Sequence, residues 1–114
     1  MPMYLGRFSY SHDAVKAMIE NPEDRGAAAR AASESLGCKL HGIWFAFGEF
    51  DGYFLLEAPD NSSAVALSAT VAGSGAMNRT ELTPLVSMEE GIEAFRKAQA
   101  ASYSKTDTSS SDMR

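Results

Sequence analysis

The stretch Cys38 to Ala58, CKLHGIWFAFGEFDGYFLLEA, decides the fold. It holds two β-prone runs, Cys38 to Phe47 and Asp51 to Ala58, joined by Gly48-Glu49-Phe50, a connection short enough for a hairpin with glycines on either side. Side chains alternate between faces along a strand. The first run therefore divides into Ile43, Phe45 and Phe47, expected to meet covering helices, and Leu40, Gly42, Trp44 and Ala46 opposite. The second divides into Phe54, Leu56 and Ala58 toward the helices and Tyr53 and Leu55, with Glu57, on the other side. Neither run alternates cleanly between apolar and polar, and strands that are apolar on both faces need cover on both.

Upstream, Met3 to Tyr10 (MYLGRFSY) is aromatic and poor in helix formers, which predicts a first strand. Ser11 can cap a helix whose stripe is Ala14, Val15, Met18 and Ile19, and Asn21-Pro22 should interrupt it. Helix then resumes with Glu23 and Asp24 at its start, an alanine-rich run read as helix propensity, and Gly37 past its end. Downstream, Asp60 offers a cap for a helix over Asn61 to about Ala72, with Ala64, Val65, Leu67, Ser68 and Val71 on its apolar side. Gly73-Ser74-Gly75 ends it, Met77 to Thr83 reads as a fourth strand before Pro84, and Ser87-Met88-Glu89-Glu90 is a capping box opening a last helix with Met88, Ile92 and Phe95 on one side. The order β-α-β-β-α-β plus a C-terminal helix predicts a ferredoxin-like α+β sandwich with an antiparallel four-stranded sheet and both long helical segments on one face. The domain fills residues 1–100, and the serine- and threonine-rich Ala101 to Arg114 reads as a disordered polar tail.

One sheet face is thus left open. By the same parity Leu5, Arg7 and Ser9 fall there, with Met77, Arg79 and Glu81 from the fourth strand. Arg7, Trp44, Tyr53 and Arg79 have the makeup of a small-molecule pocket, apolar walls with a few orienting polar groups, and are the candidate ligand-binding residues. They also have the makeup of a dimer interface, where Trp, Tyr and Arg are enriched, and at any one position the interface outweighs the pocket.

The start Pro2-Met3-Tyr4-Leu5, the step Leu36-Gly37-x-Lys39-Leu40, the segment Phe47-Gly48-Glu49-Phe50-Asp51, the exit Glu57-Ala58-Pro59-Asp60 and Gly75-x-Met77-x-Arg79-Thr80, in this order and spacing, resemble the GYD-domain family. The resemblance implies a dimeric α/β barrel in which two ferredoxin-like sheets pack open face to open face. The family's Gly-x-Tyr-Asp motif reads Gly48-Glu49-Phe50-Asp51 here, with phenylalanine in place of tyrosine, which favours a packing role for position 50. Related barrels include monooxygenases, isomerases and haem enzymes, so fold analogy does not choose a reaction.

The 114 residues carry 10 Lys and Arg against 15 Asp and Glu, a net charge of -5 with no basic field for nucleic acid or an anionic membrane. One cysteine, Cys38, cannot form an internal disulfide, and the N-terminal residues have no leader character, so a cytoplasmic location is expected. No cofactor or metal is expected: Cys38 and His41 point to opposite faces of one strand, and His12 and His41 read as surface or hydrogen-bonded residues. No serine stands in a nucleophile elbow. Asp51 is the one arguable catalytic residue, a general base at the barrel mouth, against a reading in which its side chain caps the Asp51-Gly52 turn. The reading overall is a homodimer or higher homo-oligomer that binds a small organic ligand between its sheets. The alternatives are a cofactor-free monooxygenase- or isomerase-like enzyme and a purely structural oligomer.

Overall fold

The computed structural model describes residues 1–104 and sets the elements in the order β1 (Met3–Tyr10), α1 (His12–Glu20), α2 (Arg25–Ser35), β2 (Lys39–Phe45), β3 (Gly52–Glu57), α3 (Asn61–Gly73), β4 (Met77–Leu85) and α4 (Met88–Ala100). The expected polar tail therefore lies outside the described residues from position 105 on. Each helix opens on a side-chain cap that satisfies orphan backbone donors. Ser11 Oγ accepts from the Ala14 N–H at 3.1 Å, Asp24 from Gly26 and Ala27, and Asp60 from Ser63 at 2.8 Å. Ser87 and Glu90 form the full capping box of α4. Asn21-Pro22 splits the first helical segment in two, α1 ending on the Asn21 N–H bond to the Ala17 carbonyl.

The sheet is antiparallel throughout in the order β2-β3-β1-β4, the strand order of a ferredoxin-like α+β fold, with α2 packed on β2 and α3 on β4. The core gathers Tyr4, Cys38, Leu56, Ala58, Ala64 and Leu67, with Leu36, Leu40, Phe54 and Val71 against it. The Tyr4 hydroxyl donates to Asn61, tying β1 to the start of α3. Burial pushes the Cys38 thiol up, so it stays protonated at neutral pH and acts as a small apolar residue.

Several expectations are corrected, two of them by bulges. The β2–β3 register shifts between Leu40 and Gly42, so Leu40 pairs with Leu56 on the helix side, not the open side, while His41 turns to the open side and meets Glu57. A second shift at Ser9/Tyr10 brings Met77 opposite Tyr10 on the helix side. A bulge adds one residue to one strand and reverses the facing of the residues beyond it, which simple alternation cannot register. On α3, Ala64 and Leu67 are buried but Val65 is exposed, since it lies off the 3–4 spacing that joins Ala64, Leu67 and Val71. Phe47 lies beyond the end of β2 and is fully exposed, and Phe45, at the last position of β2, is two-thirds exposed because no helix reaches that end of the strand. β4 also continues through Pro84, which an edge strand tolerates because one side of its backbone has no partner. No helix among the described residues is long and apolar enough to cross a membrane.

Candidate functional site

The pairing register lays the open face out in rows. Gly42, Leu55, Leu5 and Thr83 form one row across the sheet, and Trp44, Tyr53, Arg7 and Glu81 form the next. A side chain at Gly42 would collide with the Trp44 indole, so the glycine is what lets that ring lie back along β2. Trp44 is 56% exposed, Leu5 and Leu85 about two-fifths. The structure thus brings all four candidate residues to this face, with Arg79 one row further on, opposite Ser9.

Arg7 and Arg79 converge on two groups. Arg7 donates through Nε and Nη2 to one carboxylate oxygen of Glu81, at 3.0 and 2.7 Å, and Arg79 donates to the other at 3.1 Å. Glu81 accordingly sits below the ordinary glutamate range, first because of the Arg7 hydrogen bond and then that of Arg79, and the same carboxylate raises Arg7. Glu49 approaches Arg79 at 3.8 Å. Both guanidiniums also lie over the ring of Phe50, 4.2 and 4.4 Å from its centroid, and Tyr53 closes on its edge at 6.4 Å. Phe50 is completely buried although it belongs to the hairpin loop and not to a strand.

Asp51 turns the other way. Its carboxylate accepts the Tyr10 N–H at 2.9 Å, its own N–H donates to the Phe8 carbonyl, and its carbonyl accepts from Ala46. The side chain therefore holds the hairpin to the end of β1 through one carboxylate oxygen bonded to backbone and does not cap its own turn. His41 and Glu57 are hydrogen-bonded at 2.8 Å across β2 and β3, which lowers Glu57. Among the described residues no three His, Cys, Asp or Glu side chains gather into a possible metal site.

The two residues that fasten this hairpin, Phe50 across β1 and β4 and Asp51 at the tip of β1, are consecutive, and a model of the GYD domain matches residues 4–95. The chain belongs to the GYD-domain family. A search of curated proteins finds no match. In this GYD domain the Gly48-Glu49-Phe50-Asp51 motif works as a clamp: its aromatic ring is gripped by arginines from the two strands beyond β3, and its aspartate fixes the loop against β1. Position 50 has the packing role that phenylalanine in place of tyrosine implies. Sequence reasoning missed that Phe50 is the point on which Arg7 and Arg79 meet, because a loop side chain has no parity to place it. The Arg7–Glu81 pair could have been found from opposite charges on adjacent antiparallel strands.

Proposed function

We propose that this GYD domain acts as a homodimer in which two open sheet faces pack against one another to close an α/β barrel. The observation that carries the reading is the row Gly42-Leu55-Leu5-Thr83 flanked by Trp44 and Leu85: an apolar band across the side of the sheet that no helix covers. Exposed apolar bands rimmed by polar groups mark association sites. The rim here is self-sufficient, since Arg7, Arg79, Glu81 and Glu49 neutralise one another within one chain and can enter an interface without leaving a bare charge. A second copy supplies an identical band by two-fold symmetry.

Arg7 and Arg79, expected to orient a ligand between the sheets, already direct three N–H groups to Glu81 and lay their faces on Phe50, so the interface is their better-supported use along with Trp44 and Tyr53. Asp51, with its carboxylate held by the Tyr10 N–H, gives the enzyme reading no comparable support. Light scattering on the eluting chain tests the proposal. Wild type should elute as a dimer, and Leu55→Arg, which puts a charge in the middle of the apolar row, should elute as a folded monomer with unchanged circular dichroism. A monomeric wild type, or a Leu55→Arg chain that stays dimeric, would overturn it.

A further inference from the structure

The opposite side of the sheet offers a different kind of surface. Between α1, α2, α3 and the strands lies a cavity of about 750 Å³, within the roughly 300–1,000 Å³ of ordinary small-molecule sites. We propose that it is a binding site for a largely apolar small molecule that carries no negative charge. Its floor is aromatic and aliphatic, built from Phe8, Ile43, Phe54 and Met77. Its walls are open because the helices present alanine to it: Ala14 and Ala17 from α1, and Ala28, Ala29 and Ala32 from α2. Side chains that end at Cβ cannot reach the sheet. Protein interiors close voids much larger than a water molecule, so an apolar space of this size is a place for something to enter.

The charge of the lining selects what enters. Asp13, Glu20 and Glu23 line it against the single guanidinium of Arg25, and Arg25 is paired to Glu23 at 2.8 Å. The field at the mouth is therefore negative and repels carboxylates, sulfonates and phosphates. Among the polar side chains of the lining, such as Ser68 and Thr80, one is an aromatic handle. Tyr10 lines the cavity, and among the described residues its hydroxyl has no hydrogen-bond partner. Burial raises its pKa, so the phenol keeps its proton at neutral pH and can donate to a ligand oxygen or nitrogen. The site is independent of pairing, since the proposed interface uses the other face of the sheet.

Two dyes of similar appetite for apolar surfaces separate the possibilities: Nile red, which is neutral, and anilinonaphthalene sulfonate, which is anionic. The full-length chain should bind Nile red saturably, at one per chain, and at least roughly tenfold more tightly than the sulfonate. Ala29→Phe fills the space from α2 and should weaken Nile red by about tenfold or more with the oligomeric state unchanged. Ala14→Phe fills it from α1, a helix with no buried residue, so folding is not at stake, and should do the same. Leu55→Arg should leave Nile red binding intact. No saturable Nile red uptake, equal affinity for the two dyes, or loss of binding in Leu55→Arg with both alanine variants unaffected would overturn the proposal, the last by placing the dye between the sheets.

Discussion

Phe50 concentrates the energetics of the open face in one ring. Its exposure is nil because two guanidiniums and Tyr53 cover it, so a substitution there removes both buried aromatic surface and a platform for two cations. Burial of a large aromatic dominates: Phe→Ala changes at enclosed sites cost about 3–5 kcal/mol, against roughly 0.5–1 kcal/mol for each cation–π contact at a partly exposed position. Phe50→Ala should fall near the lower end, about 3 kcal/mol, because the covering arginines are flexible and can close over the space. Phe50→Leu, which keeps most of the apolar volume, should cost about 1–2 kcal/mol, the part that belongs to the ring's π face. Urea denaturation of the three chains measures both. Equal losses in the two variants would mean that volume contributes nothing and that the cations alone hold the loop. The Arg7–Glu81 and Arg79–Glu81 pairs add less, since their side chains remain between one-third and one-half exposed.

At the scale of elements, α4 is the least supported piece of the fold. It buries no residue, Met88 and Phe95 stand almost free in solvent, and isolated helices of its 13-residue length are marginal in water. Its capping box is then its principal support within the chain. Ser87→Ala should cost about 1 kcal/mol of helix stability. Hydrogen exchange should show this as faster exchange from Ile92 to Gln99 while the β1 and β3 amides keep their protection; loss of protection in the strands as well would mean that α4 is coupled to the body. That cap was readable in Ser87-x-x-Glu90, as were the caps at Ser11 and Asp60, because capping is local chemistry written within four residues. The ferredoxin-like fold class followed from element order. What alternation could not supply was the extra residue at His41 and the shift at Ser9/Tyr10: a bulge leaves no mark in composition, yet it moved Leu40 and Met77 to the helix side. The candidate residues Arg7, Trp44, Tyr53 and Arg79 were correctly sent to one face by parity. The grip of the two arginines on Phe50 was hidden because loop geometry sets it. The alanines of α1 and α2 were legible only as helix propensity, since whether a small residue packs closely or leaves a void depends on the distance between layers.

Across the whole molecule, acid should be the condition that unfolds this chain, and the direction comes from three carboxylates. Glu57 is lowered by the hydrogen bond from His41, Asp60 by the Ser63 N–H at its cap, and Glu81 by Arg7 and then Arg79. In the unfolded chain each returns to the ordinary range of about 4. Between its folded and unfolded values the unfolded state binds more protons, so the stability each contributes is complete above the unfolded value and is lost as pH falls through the folded one. Arg7, raised by Glu81, works in the opposite sense but only in strong alkali. Net charge pulls against the acid trend: the chain carries -5, and protonating carboxylates first relieves that repulsion. Specific pairing wins if these carboxylates are held as described, because their contacts are at hydrogen-bond distance while the diffuse charge is screened over about 8–10 Å of salt solution. The urea midpoint, read at fixed chain concentration, should therefore stay level from pH 7 to about 5 and fall steeply toward pH 3. Glu81→Gln should start lower at pH 7 and lose less on acidification. A midpoint that rises between pH 5 and 4 would show that overall repulsion, not the three held carboxylates, governs the response to acid.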